Sequence, residues 1–307
     1  MKHYVHLCDR FTERVWKIAY AQQQLGDRVT VVYRQDCHPD LMATIDTVSR
    51  WLDPADLPER IGRLYYGENW TLWVHISITE STLPMIAALS TCSRYYLDIH
   101  DYTDHAAKAA RETYPQLIIA PSKRMADQLS ACGKTVCLYS KVPKSYHISP
   151  ARQLQACSLA AGAEIGGPVW RDYRQVADWL KETLFLFPCF VDDPRLPAWF
   201  NVMQRLPYSA LLPALSRFRY SWCGAANDKH TIHDCVTNKF WNALAVGSCP
   251  ILYRSDEMEE IARQIGIGSM WIPGDYDYPL ESLVPFEFTR QQDTTMEAEL
   301  LRYSDVL

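Results

Sequence analysis

The segment His233 to Leu252, HDCVTNKFWNALAVGSCPIL, holds the densest set of residues whose types and spacing could do chemistry. Val236, Phe240, Ala243 and Leu244 share one helical face, Gly247 follows where a C-terminal cap is expected, and Pro250 lies in the buried strand that comes next. Thr237, Asn238 and Lys239 then occupy the first turn. Main-chain N–H groups, a hydroxyl, an amide and an ammonium at a helix start make an anion site suited to a diphosphate. The same spacing also describes an ordinary capped helix whose lysine points to solvent.

A second segment, GGPVWRDYRQ, joins a strand to a helix through Gly166 and Gly167 and presents Arg171 and Arg174 near the helix start. Glycines let main chain approach a ligand, and a planar guanidinium matches phosphate oxygens. A Gly-Gly turn followed by surface arginines is also common without any ligand. In the third, LDIHDYTD, a strand ends in Asp98, His100 and Asp101. A histidine beside carboxylates there could act on a substrate hydroxyl, hold a sugar, or cap the next helix. Cys223, His230, His233 and Cys235 have zinc-binding types, but C-x6-H-x2-H-x-C matches no familiar structural zinc spacing, so no metal is expected. The chain has no GxGxxG, GxxxxGK[ST], HExxH or GxSxG motif.

These residues are positioned by a regular alternation of elements. Strand patterns at 4–8, 28–33, 72–77, 94–99, 116–120 and 135–139 alternate with helical patterns at 11–25, 41–51, 82–90, 104–113 and 122–131. Such alternation predicts a parallel sheet covered by helices on both faces. Residues 140–155, SKVPKSYHISPARQLQ, break the pattern with two prolines and a basic, polar composition, which places a domain boundary near 150. The rhythm restarts with strands at 156–163, 184–191, 220–223 and 249–253 and helices at 173–181, 209–215, 236–246, 256–264 and 296–303. Two α/β domains result, 1–150 and 151–307, with ligands expected beyond the carboxyl ends of the strands.

With 307 residues, 48% apolar, the chain can bury two cores of its own. A net charge of −5 disfavours a chain-wide grip on nucleic acid or an anionic membrane and leaves room for a local basic groove. The ten cysteines include no CxxC pair, which fits buried reduced thiols in a cytosolic protein. No stretch approaches the roughly 18 apolar residues that span a bilayer, and the N-terminus reads as no signal peptide.

The ordered segments resemble the GT-B glycosyltransferases, in particular the retaining family-4 group. IIAPSKRMADQL (118–129) resembles that group's final N-domain strand and following turn, and 164–180 its glycine loop and diphosphate-binding arginine, a role that falls to Arg171. LPYSALLPAL, with Leu206 and Tyr208, is similar to the loop and short helix near the nucleotide base. NALAVG (242–247) matches the second half of the group's Glu, seven residues, Glu donor motif; Asn242 stands at the second acid and Asp234 at the first. Those two departures bear on donor identity. DCVTNKFWNALAVGSCPI also resembles the donor motif of the inverting family-10 fucosyltransferases, with Thr237 and Lys239 matched and Asn238 in place of a glutamate.

The resemblance implies two Rossmann-like α/β/α domains facing across a cleft, an N-terminal acceptor domain and a C-terminal nucleotide-sugar domain. It implies transfer of a sugar from a UDP- or GDP-sugar to a hydroxyl on a glycan, a lipid or a hydroxymethylated DNA base, without a required metal. His100 matches the family-4 position that meets the donor sugar, which favours retention. Asp234, His100 and Asp101 are then the catalytic candidates, and Asp9, Arg10 and Glu13, in the loop after the first strand, the acceptor contacts. A solvated loop is the other reading of that trio. A DNA acceptor calls for a local basic strip, for which Lys123, Arg124, Lys141 and Lys144 are available. A small-ligand binding protein of two domains, closing on a solute without chemistry, is the alternative outside enzymes.

Overall fold

Residues His3–Phe11 form β1, and Thr12 turns the chain directly into the helix Glu13–Gln24. The Thr12 hydroxyl accepts from the Val15 N–H, Glu13 complements the helix dipole, and Gly26, at φ +88°, ends the turn in a conformation that costs a side-chain-bearing residue. The β-branched run Val29 to Val32 then extends into β2 (Arg28–Asp36), paired parallel with β1. The computed structural model describes residues 1–36, 38–57, 59, 61, 70–76, 95–101, 103–148, 158–161, 182–185, 201–202, 206–218, 220–223, 236–252, 256–266, 270–271 and 294–307.

The first sheet adds β3 (Thr47–Arg50), β4 (Thr71–Ile76), β5 (Tyr95–Ile99), β6 (Leu117–Ala120) and β7 (Thr135–Cys137), in the order β3-β2-β1-β4-β5-β6-β7. Every pairing is parallel. The order reverses between β1 and β4, the switch point where open parallel sheets hold ligands. The second sheet contains β8 (Ser158–Ala161), β9 (Glu182–Phe185), β10 (Asn201–Val202), β11 (Tyr220–Trp222), β12 (Cys249–Leu252) and β13 (Met270–Trp271). Its order, β10-β9-β8-β11-β12-β13, is also parallel throughout and reverses between β8 and β11.

Two compact units result, one of Met1–Lys144 with Met296–Leu307 and one of Ser145–Thr295. The expected division assigned all of 151–307 to the second domain. The final helix Met296–Arg302 instead packs on the first sheet, where Met296 and Leu300 join Tyr4, Ile18, Trp73 and Ile119 in one core. Buried Glu299 fixes it there, accepting from the Tyr139 N–H at 3.3 Å and pairing with Lys141 at 2.7 Å. The helix expected at 41–51 is also different. Only Pro39–Met42 is helical, and Thr47–Arg50 pairs with β2 as an edge strand, where β-branched Thr47 and Val48 suit a pleated edge better than a helix. The helices expected at 82–90 and 173–181 lie outside the described residues.

The other face of the first sheet is mainly apolar, with His3 near Thr30 and the Asp9–Arg34 pair as its polar members. Val5, Leu7, Leu72, Val74, Leu97, Ile99 and Ile118 pack against Ala106, Ala109 and Ala110 of the helix Asp104–Thr113 and Met125 and Leu129 of the helix Lys123–Leu129. Among the described residues no helix is long and apolar enough to cross a membrane.

Candidate active site

In a parallel ladder, paired residues point to the same face, so His6 opposite Trp73 and His75 opposite Asp98 place three polar side chains on one side of β1, β4 and β5. They meet in a continuous network. His6 Nε2 lies 2.7 Å from Gln22 Oε1, and His6 Nδ1 lies 2.9 Å from His75 Nε2. His75 Nδ1 lies 2.8 Å from Asp98 Oδ2, and His100 Nε2 lies 3.0 Å from the same oxygen. Arg14, from the first turn of the helix that follows β1, donates Nε to both Asp98 oxygens at 3.1 and 3.0 Å and Nη2 to Oδ1 at 2.6 Å. Its Nη1 donates to the Leu138 carbonyl at 3.0 Å.

Burial sets the direction of titration for the two buried histidines. It lowers the pKa of His6 to about 3, with the neighbouring His75 adding to the effect, and it lowers that of His75 as well. For Asp98 burial acts to raise the pKa, but the Arg14 charge and the hydrogen bonds from His100 and His75 outweigh it, holding the carboxylate well below its usual range. Lys17, fully buried beside Arg14, donates to the Ser140 carbonyl at 3.0 Å and pairs with Glu13 at 2.7 Å. Burial pushes its pKa down, and Glu13 opposes the shift.

His100 ends the network at the carboxyl end of β5, its N–H donating to the Ile76 carbonyl and its side chain 10% exposed. Capping the next helix falls to Thr103, whose hydroxyl accepts from the Ala106 N–H, so His100 does not serve that purpose. Asp101 is exposed beside it. At the end of β1, Asp9 is buried in an ion pair with Arg34 at 2.5 Å, and the Arg34 guanidinium lies 5.3 Å from the Trp51 ring. Arg10 is exposed, and Glu13 is half-buried in its pair with Lys17.

In the second unit the helix Asn238–Ala245 begins at the carboxyl end of β11. The Thr237 hydroxyl donates to the Cys223 carbonyl at 3.1 Å and makes no bond to its own helix, so the strand end and the helix start are tied together. Asn238 and Lys239 are half-buried in the first turn. Tyr208 and Asn242, read separately from the sequence, are brought together: the Tyr208 hydroxyl donates to Asn242 Oδ1 at 2.9 Å, both residues buried. Leu206 is half-buried just before the helix Tyr208–Leu215. Gly166, Gly167, Arg171 and Asp234 lie outside the described residues.

His6, Arg14, Lys17, Gln22 and His75 escaped the sequence reading. For His6 and His75 a signal was available, a polar residue inside a strand otherwise apolar on both faces; Arg14, Lys17 and Gln22 lie on the helix Glu13–Gln24, where a polar residue reads as ordinary helix surface.

No protein-family model and no curated sequence matches the chain. Among solved structures it is similar to an alpha-glucosyltransferase in complex with UDP and a 13-mer DNA containing an HMU base, at 12% identity and TM-score 0.63, over 91% of this chain and 88% of that one. An alpha-glucosyltransferase in complex with UDP-glucose and DNA containing an abasic site gives 11% identity and TM-score 0.61, over 100% and 90%. A spinosyn rhamnosyltransferase complexed with thymidine diphosphate gives 15% and 0.50, over 99% and 95%. The chain has the GT-B fold. At these identities the likeness is one of architecture, carried by two parallel sheets with reversed strand order in one chain.

Proposed function

We propose that the chain is a glycosyltransferase that moves a sugar from a nucleoside-diphosphate sugar, a UDP-sugar first of all, to a hydroxyl acceptor. The observation that carries this reading is the junction of β11 with the helix Asn238–Ala245, where Thr237 locks a helix start against a strand end beside the second switch point. Lys239 in that first turn, together with Arg171, supplies positive charge where a diphosphate departs. The acceptor oxygen replaces the diphosphate oxygen on the anomeric carbon and gives up its proton. In the first unit His100, at the end of β5 and oriented by Asp98, is the group suited to act on that hydroxyl or to hold the sugar, with Asp101 beside it.

Asp9, Arg10 and Glu13 border the first switch point, Arg10 being the exposed member of the trio and the one best able to touch an acceptor. Tyr208 and Asn242 brace the donor helix and take the base and ribose side. Among acceptors a hydroxymethylated base in DNA is favoured, because the GT-B likeness includes enzymes solved with UDP or UDP-glucose and DNA. Exposed Lys123, Arg124 and Lys144 provide phosphate contacts. Retention follows from the family-4 resemblance at His100.

The test is a panel of UDP-, GDP-, ADP- and dTDP-sugars, each with and without a duplex carrying hydroxymethylated pyrimidines, read by mass spectrometry and by the anomeric configuration of the product. Transfer to the duplex that weakens steeply with salt is expected, and Lys239→Ala and Arg171→Ala should remove turnover while leaving the circular dichroism spectrum intact. Full activity in both variants, or no turnover of any donor, would sink the reading.

A further inference from the structure

We propose that His75 Nδ1, Asp98 Oδ2 and His100 Nε2 together bind one divalent transition-metal ion at the carboxyl ends of β4 and β5. The three atoms converge: 2.8 Å separates His75 Nδ1 from Asp98 Oδ2, 3.0 Å separates His100 Nε2 from that oxygen, and 3.4 Å separates the two nitrogens. Ligands about 2.1 Å from a common ion stand about 3.0 Å apart at octahedral angles and about 3.4 Å apart at tetrahedral ones. The triangle is therefore already the size a metal requires. Two imidazoles and one carboxylate are a donor set for zinc, cobalt, nickel or iron rather than for magnesium or calcium, which take oxygen.

The surrounding hydrogen bonds fit the same ion. A histidine that gives Nδ1 to a metal keeps its proton on Nε2, and His75 Nε2 faces His6 Nδ1 at 2.9 Å. His6 then carries its proton on Nε2, which faces the Gln22 carbonyl oxygen at 2.7 Å. Every proton from the ligand outward to Gln22 has an acceptor. On the carboxylate, Oδ2 would accept from Arg14 Nε at 3.0 Å and bind the metal, one partner for each lone pair, while Oδ1 accepts from Arg14 Nη2 at 2.6 Å. Without an ion, Oδ2 collects three N–H groups, and the two imidazole nitrogens 3.4 Å apart both point protons at it. The ion would pin His100, the most exposed of the three ligands, to the first switch point.

Metal content, not turnover, is the readout, so the proposal fails or stands apart from glycosyl transfer. Full-length protein is stripped with a chelator, titrated with Co2+ and then Zn2+, desalted, and analysed by elemental mass spectrometry and visible absorption. The expected result is one tightly held equivalent, a Co2+ ligand-field band displaced by Zn2+, and more than about 100-fold weaker binding in His100→Gln and in His75→Gln. His6→Gln should weaken binding less, by roughly 10-fold, as the loss of an outer-shell partner does. Should His75→Gln fail to fold, His100→Gln carries the test, since that side chain lies at the edge of the cluster. No retained metal in the wild type, or unchanged binding in folded His100→Gln, overturns the proposal and leaves only adventitious binding by other histidines.

Discussion

The two faces of the first sheet solve the same burial problem with opposite chemistry. On one face Leu7, Val74, Leu97 and Ile118 meet helices rich in alanine, and the charged pair Asp9–Arg34 stands toward the end of β1, beside Trp51. On the other, Tyr4, Trp73 and Ile119 surround a fully buried carboxylate, two histidines, an arginine and a lysine. Dispersion and water exclusion hold the first face together, a non-directional force that tolerates exchange of similar volumes. The second face depends on directional bonds, because an unpaired buried charge costs far more than a lost methylene. A parallel sheet gains nothing in stability from such a face that leucines would not supply. This face lies beside the reversal of strand order between β1 and β4, the place where open parallel sheets hold ligands.

Breaking the charged face should have the larger effect. Arg14→Ala leaves the Asp98 carboxylate buried without its guanidinium, and a loss of about 3–5 kcal/mol is expected in denaturant unfolding. The paired replacement Arg14→Met with Asp98→Leu should recover part of that loss, since it removes both charges and keeps the volume while leaving His75 Nδ1 and the Leu138 carbonyl without these partners. If the pair is no better than Arg14→Ala, the cost lies in packing and not in the stranded charge. On the apolar face Leu97→Ala opens a cavity and should cost about 3 kcal/mol with no rescue by any polar partner. A loss from Arg14→Ala smaller than that from Leu97→Ala would reverse the ranking of the two faces.

The apolar face was legible in the sequence because its signal is local. Runs such as RVTVVY and LIIA, the cap residues Thr12, Thr103 and Ser122, and Gly26 each state their own conformation within a few residues. The second unit's helix Asn238–Ala245 was placed for the same reason, since Val236 to Gly247 carries period, start and stop together. The polar face was hidden because it is assembled from residues far apart: Arg14 reaches Asp98 across 84 positions, and His6 reaches His75 across 69. Nothing near His6 shows that it faces a histidine, and only the parallel register puts them side by side. The last helix is a similar case. Its pattern was read correctly as a helix, but the buried Glu299 that returns it to the first unit finds its partners at Tyr139 and Lys141. Trp51 shows the reverse error, a helical period at 41–51 overridden when Thr47–Arg50 found an edge to pair with and the indole N–H found the Cys8 carbonyl.

The second unit offers a milder version of the same contrast. Its described buried polar pairs are neutral, Tyr208 with Asn242 at 2.9 Å and Ser221 with Ser248 at 2.8 Å, where the first unit buries full charges. Removing one neutral donor should therefore cost much less than removing Arg14. Tyr208→Phe keeps the ring that packs 6.2 Å from Tyr146 and deletes only the hydroxyl, leaving Asn242 Oδ1 short of its donor. A loss of about 1 kcal/mol is expected, the scale of one buried hydrogen bond between uncharged groups. The measurement also separates two roles for Asn242. If the amide only braces the helix Asn238–Ala245, Tyr208→Phe and Asn242→Ala should lower stability while leaving the affinity for UDP within twofold. If the amide turns to a ribose hydroxyl when nucleotide binds, Asn242→Ala should weaken UDP binding by roughly tenfold while Tyr208→Phe leaves it unchanged or tighter, because the competing intramolecular bond is gone.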